Sequence, residues 1–213
     1  MNDGFLTLWI VTIAIILLVT GWSVQVGAGR HWPQLAAAAV ACLLLQTLGG
    51  SFEAGSVHID IKASAVFVML GALAAMRMQR LIESSAYLLV GTLLTGMIWG
   101  SLQMMYSADP VFYLIHPRWD APIAGGMLAA AFSVRPGQQF AVLAFGAACA
   151  EVIHALLSGG AYLAAIGSLA WWDGFWLAFA TARISGLSFA AVRSATVRVG
   201  TLLWGRRRGG QSE

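Results

Sequence analysis

Apolar stretches close to membrane-crossing length follow one another along this chain, with short polar connections between them. That arrangement limits what the chain can fold into. A helix needs about 20 apolar residues to cross a bilayer, within a range of roughly 17–25. Seven stretches can be marked: Phe5 to about Val26, Pro33 to Gly50, Ile61 to Met78, Ser84 to Met105, Ala121 to Val134, Gln138 to Ser158, and Gly174 to Val192 with a helical continuation expected toward Trp204. Of the 213 residues, 59% are apolar and 10% charged, at mean hydropathy +0.78. A soluble domain carries about 25% charged residues, and a disordered chain combines low hydrophobicity with high charge. Both classes are excluded, leaving a multi-pass membrane protein.

Arginine placement gives the expected orientation. With seven crossings, the connections after the first, third, fifth and seventh share a side. That side holds Arg30, Arg77, Arg80, Arg135, Arg193, Arg198, Arg206, Arg207 and Arg208; the other holds Lys62 and Arg118, and Arg183 lies inside the seventh stretch. Most acids fall opposite: Asp3, Glu53, Asp60, Asp109, Asp120 and Asp173. Basic residues near helix ends face the cytoplasm, so the N-terminus is expected outside and the C-terminus inside. The fifth stretch is short and Gly-rich, but without it Arg135 would fall outside. The start, Met1-Asn2-Asp3-Gly4, lacks the positive n-region of a secretory signal. Trp171 and Trp172 are expected at the outer headgroup level, where an indole keeps its N–H wet.

Small residues mark expected helix contacts: Gly96 with Gly100 forms a GxxxG pair, and Gly71 with Ala75 a milder version. Cys42 and Cys149 lie in apolar runs and form neither a disulfide framework nor a zinc site. Two ionisable side chains fall deep in apolar stretches, Glu151 and Arg183. Each costs a few kcal/mol at mid-bilayer and should not face lipid. Counted from the outer ends, Glu151 lies about 10 Å deep and Arg183 about 14 Å, at 1.5 Å per residue. An ion pair between them is the central structural expectation. His154, one turn from Glu151, and Gln46, four residues before Gly50, are expected to join it as a polar pocket. Gln103, Thr7 and Thr12 are further candidates.

Two readings of this cluster stay open. Either the groups neutralise one another and fix helix register, or they line a water-filled pocket where Glu151 carries a proton or meets a cation. Catalytic templates fit poorly. Glu151-x-x-His154 is half of a helical carboxylate metal site, and no second copy is present. HExxH, GxSxG and a phosphate loop are absent. No cofactor, metal or nucleic-acid partner is expected. The expected functions are a small-solute or ion carrier with an outward-facing pocket, or an assembly partner of another membrane protein or of a second copy, with an intramembrane enzyme third.

The opening Phe5-Leu6-Thr7-Leu8-Trp9 run, the Val19-Thr20-Gly21-Trp22 stretch and the His116-Pro117-Arg118-Trp119-Asp120 loop give the chain a layout that resembles the YphA-like membrane proteins of Gram-positive bacteria. The resemblance implies a bacterial cell-membrane setting and carries no activity or site residues. The expected fold is an all-α polytopic membrane helical bundle with seven transmembrane helices, N-terminus out and C-terminus in. Residues 1–204 form one transmembrane domain in this reading, and 205–213 a basic, flexible cytoplasmic tail.

Overall fold

The computed structural model describes residues 2–22, 32–55, 57–78, 85–109, 111 and 114–208. The end of the first stretch at Val26, Arg30, His31, Arg80, Glu83, Pro110 and tail residues 209–213 lie outside these. Among the described residues there are seven helices: α1 Phe5–Val19, α2 Trp32–Leu45, α3 Ala63–Met78, α4 Ser85–Ala108, α5 Asp120–Phe132, α6 Pro136–Leu157 and α7 Leu169–Arg208. Three segments are long and apolar enough to cross a membrane: Ala86–Ala108, Pro136–Leu157 and Leu169–Val192. Phe5–Leu17, Ala63–Ala74 and Asp120–Phe132 are apolar but shorter. With 40 residues, α7 rises about 60 Å, twice a hydrocarbon core.

The fold departs from the all-α expectation in one place. Three strands, β1 Gly49–Ala54, β2 Val57–Lys62 and β3 Ala164–Ile166, form a sheet in that order. β1 and β2 make an antiparallel hairpin turning at Gly55, whose φ of +66° suits glycine. β3 joins parallel to β2, with Ile59 opposite Ala164 and Ile61 opposite Ile166. The strand signal is present in the chain: Val57-His58-Ile59-Asp60-Ile61-Lys62 alternates with period two, and Val57 and Ile59 are buried while His58 is exposed. A reading tuned to 20-residue apolar runs assigns Gly49-Gly50 to the second stretch and Ile61 to the third, and so passes over the hairpin.

α6 is the central helix. It packs most extensively on α4 and also touches α3, α5 and α7, while α1 lies on α7 and α2 on α3. The α4–α6 contact follows from glycine. A Cβ on Gly96 would stand 2.6 Å from the Cys149 Cβ, and one on Gly100 would stand 2.6 Å from the Ala150 carbonyl oxygen. The GxxxG pair is therefore a backbone-close helix contact, as small residues allow. Gly71 is the opposite case: nothing lies within 4 Å of the place its Cβ would occupy, so no close helix contact forms at that glycine. Gly126 plays the corresponding part between α5 and α7, its Cβ position 2.3 Å from the Ala178 carbonyl oxygen.

The outer helix faces are apolar and exposed, as at Val19, Leu43, Leu44, Ile184 and Val192. The interior holds an aromatic cluster in which Trp171 stacks on Phe175 at 5.5 Å and 6° and Phe140 meets Phe175 and Phe179 edge-on. Trp171 and Trp172 are buried in this core, on the first turn of α7, which begins at Leu169.

The N-terminal ends of α1 and α7 lie together, and α3 and α6 pack against the sheet. Asp173, near the start of α7, accepts the Gly4 and Thr7 N–H groups at 2.8 and 2.7 Å and the Thr7 hydroxyl at 2.6 Å. It thereby caps the open N–H groups of α1. Asp3 pairs with Arg118 at 2.9 Å. Asp120, buried at the start of α5, accepts N–H groups from Leu114 at 2.6 Å, Ile115 at 3.1 Å and His116 at 3.3 Å. These hold the 114–119 turn against the bundle while Leu114 and Ile115 project outward. α6 stops in a Schellman arrangement: Gly160 N–H reaches the Ala155 carbonyl and Gly159 N–H the Leu156 carbonyl, both at 3.1 Å.

Candidate functional site

The residues expected to form one pocket occupy three places. Glu151 and His154 remain together on α6, both about 6% exposed, beneath the sheet. The Glu151 carboxylate accepts the Tyr162 hydroxyl at 2.9 Å and also faces the Gln103 side chain and the Ala165 backbone N–H. The Tyr162 ring stacks on the His154 ring, 3.8 Å between centroids at 19°. Ser107 of α4 lies 3.4 Å from His154 Nε2. The cluster is thus built by the last turns of α4 and α6 and by the connection leading into β3.

Tyr162 was not legible as a member. It lies in a connection just after the Gly159–Gly160 helix stop, where spacing along a helix predicts nothing. Burial first, then the charge and hydrogen bond of Glu151, hold its phenol above its usual value. It therefore remains a protonated donor to the carboxylate.

Arg183 does not meet Glu151. Its guanidinium donates to Gln139 Oε1 at 3.1 Å and to the Val134 carbonyl at 3.4 Å. Gln139 is twelve residues before Glu151 on α6, about 18 Å along the axis. No Lys or Arg among the described residues stands within ion-pair distance of Glu151. The expected depths failed because α7 begins at Leu169, which puts Arg183 fourteen residues from its start, about 21 Å along at 1.5 Å per residue. There it meets carbonyl oxygens just past the end of α5, a favourable place for a cation. Fully buried Gln139 completes this second cluster, donating to the Ser133 carbonyl at 2.7 Å and the Ala182 carbonyl at 3.4 Å, and Ser133 hydrogen-bonds Gln138. The polar pair Gln138-Gln139 at the start of an apolar stretch was the available sequence signal for it.

Gln46 is a third, separate junction. Its amide donates to the Gly167 carbonyl at 2.7 Å, and its Oε1 accepts from Ser64 at 2.7 Å and Trp172 Nε1 at 3.1 Å. It ties α2, α3 and the start of α7 together, with its partners supplied by the protein. Thr7 serves Asp173, and Thr12 bonds the Leu8 carbonyl of its own helix. Among the described residues no group of three or more His, Cys, Asp or Glu side chains could hold a metal ion.

Apolar helices of crossing length around a polar-capped interior define an integral membrane protein. The chain belongs to the YphA-like integral membrane protein family, whose model matches residues 3–199. No curated protein and no solved structure matches it.

Proposed function

We propose that the chain is a seven-span protein of the bacterial cell membrane, N-terminus outside, whose Glu151 cluster binds a small cation or protonated solute that it carries across. The observation behind this reading is a buried carboxylate with no cationic partner among the described residues. An uncompensated buried charge is costly by several kcal/mol, and a proton or a bound cation would offset it. The alternation of helix ends and the nine-to-two bias of basic residues support seven spans. Arg183 adds to this, since its partners at Val134 and Gln139 lie at the arginine-rich end. At 13 residues, α5 rises only about 20 Å, so its crossing uses the 133–135 connection as well.

Reporters fused after Arg80 and after Arg135 should both read cytoplasmic; an outside reading at Arg135 would show that α5 does not cross. In reconstituted vesicles carrying a pH-sensitive dye, an imposed gradient of monovalent cation should produce a protein-dependent signal. Glu151→Gln should abolish it and Arg183→Gln, at the other end of α6, should retain it. An unchanged signal in Glu151→Gln would remove the carrier reading.

A second reading, assembly with another membrane protein or a second copy, is favoured by β1. All six of its residues are exposed, and among the described residues it pairs only with β2. Its free edge offers backbone donors and acceptors to another strand.

A further inference from the structure

The hydrogen-bond bookkeeping of the Glu151 cluster is specific enough to select a chemical class of cation. The Ser107 hydroxyl donates to the Met104 carbonyl at 2.7 Å. Its single hydrogen is then committed, and toward His154 Nε2 it can offer only a lone pair. Nε2 must therefore carry the ring hydrogen. In the neutral ring, Nδ1 is left as a bare acceptor. That Nδ1 is buried and has no partner among the described residues.

Gln103 shows the same pattern. Its side chain faces Glu151, and an amide can donate only through its nitrogen, so the NH₂ group is the end suited to the carboxylate. Its Oε1 is buried and also has no partner among the described residues. Glu151 itself is an acceptor with a negative charge. Beside the charged carboxylate, two groups thus lack donors among the described residues: an amide oxygen and an imidazole nitrogen. A neutral solute would leave the charge uncompensated, a quaternary ammonium would leave the acceptors unmet, and the described residues hold no group of three His, Cys, Asp or Glu side chains to hold a metal ion. An –NH₃⁺ group answers both, with three donors and one positive charge.

The route to the site is also visible. Tyr162 covers it, stacked on His154 and bonded to Glu151. It follows two glycines at φ +62° and +86°, Gly159 and Gly160, and its neighbour Leu163 is exposed.

We infer that the Glu151–His154–Gln103 cluster binds an ammonium ion or the protonated amine of a small primary amine, with Tyr162 as a displaceable cover whose hydroxyl occupies the carboxylate when the site is empty. The inference rests on the reading of this cluster as the solute site, and deepens it. The ammonium-type group donates to Glu151, Gln103 Oε1 and His154 Nδ1, and no covalent step is involved.

Calorimetric titration of the full chain in nanodiscs tests this at constant ionic strength. The titrants are ammonium chloride, methylammonium chloride, tetramethylammonium chloride and sodium chloride. Ammonium or methylammonium should bind saturably, the preference between them separating the inorganic ion from an alkylamine. Tetramethylammonium, which has the charge but no N–H, should not bind. Glu151→Gln and Gln103→Leu should each weaken binding about tenfold or more, the loss of a charge-assisted bond. Tyr162→Phe keeps the ring stack but removes the competing hydroxyl, and should bind several-fold tighter, roughly the effect of one hydrogen bond. This gain keeps the test sharp even where the Glu151 variant fails to fold. Equal binding of tetramethylammonium or sodium would overturn the donor argument while leaving a carrier in place. Selective methylammonium binding without vesicle flux would overturn the carrier reading while supporting the site. No binding of any titrant to the wild-type chain would overturn the inference.

Discussion

Gly126→Ala is expected to lower the apparent thermal midpoint sharply, although it adds a single methyl group. That methyl would stand 2.3 Å from the Ala178 carbonyl oxygen and 2.8 Å from the Thr181 Cβ. The first of these neighbours is backbone in the middle of α7 and cannot rotate aside, so α5 and α7 must separate. Overpacking of this kind costs about 1–3 kcal/mol, and Gly126→Val should cost more. Gly100→Ala should behave similarly, because its methyl would meet the Ala150 carbonyl oxygen at 2.6 Å. Gly71→Ala is the control. With open space around it, it should be neutral or raise stability by up to about 1 kcal/mol through helix propensity. Thermal melts of the four variants in one detergent check this. Equal shifts for Gly126→Ala and Gly71→Ala would mean that the α5–α7 approach is not as close as described.

The second large effect is expected at Asp120→Ala. One buried carboxylate accepts three consecutive backbone N–H groups, those of Leu114, Ile115 and His116, and sits at the positive end of α5. Hydrogen bonds to a charged acceptor contribute about 1.5–3 kcal/mol each, and a loop freed into water recovers part of that, so a net loss of about 2–4 kcal/mol is expected. Asp120→Asn should fall between, since one amide oxygen still accepts. The local signature is proteolysis: the 114–119 turn should be cut faster in Asp120→Ala, while cleavage elsewhere follows the smaller global change. An uncut turn with wild-type stability would show that the bundle holds the loop without the carboxylate.

These two positions differ in how far the sequence announced them. Gly96-x-x-x-Gly100 was visible as a packing motif because small residues four apart share a helix face. Gly125-Gly126 lay in the shortest apolar stretch, and nothing in one dimension says which of its faces meets α7. Asp120 was visible only as an acid at an outer connection. Its role depends on the chain turning back through 114–116, a feature of loop geometry and not of spacing.

The candidate site divides in the same way. Glu151 and His154 are three apart on one helix, and helical periodicity alone puts them side by side. Gln103 and Ser107 reach them because α4 packs on α6 through glycine, and Tyr162 because a Schellman stop turns the chain back over the helix end. Arg183 was assigned to Glu151 by counting residues from an assumed helix start, and an error of five residues there moved it about 7 Å along the axis. Axial position accumulates such errors, whereas side-chain neighbours on one turn do not.

By itself the sequence determined the solvent in which this protein folds, the existence of its helices and the bias that orients them, because hydropathy and charge act locally on each segment. It also placed one carboxylate and one imidazole on a common face. The tertiary structure alone decided that the arginine belongs to the other end of the bundle, that a small sheet closes over the carboxylate, and that a tyrosine from a connection covers it. Those outcomes depend on where helices start and how closely their backbones approach, and both are settled only when all the elements pack together.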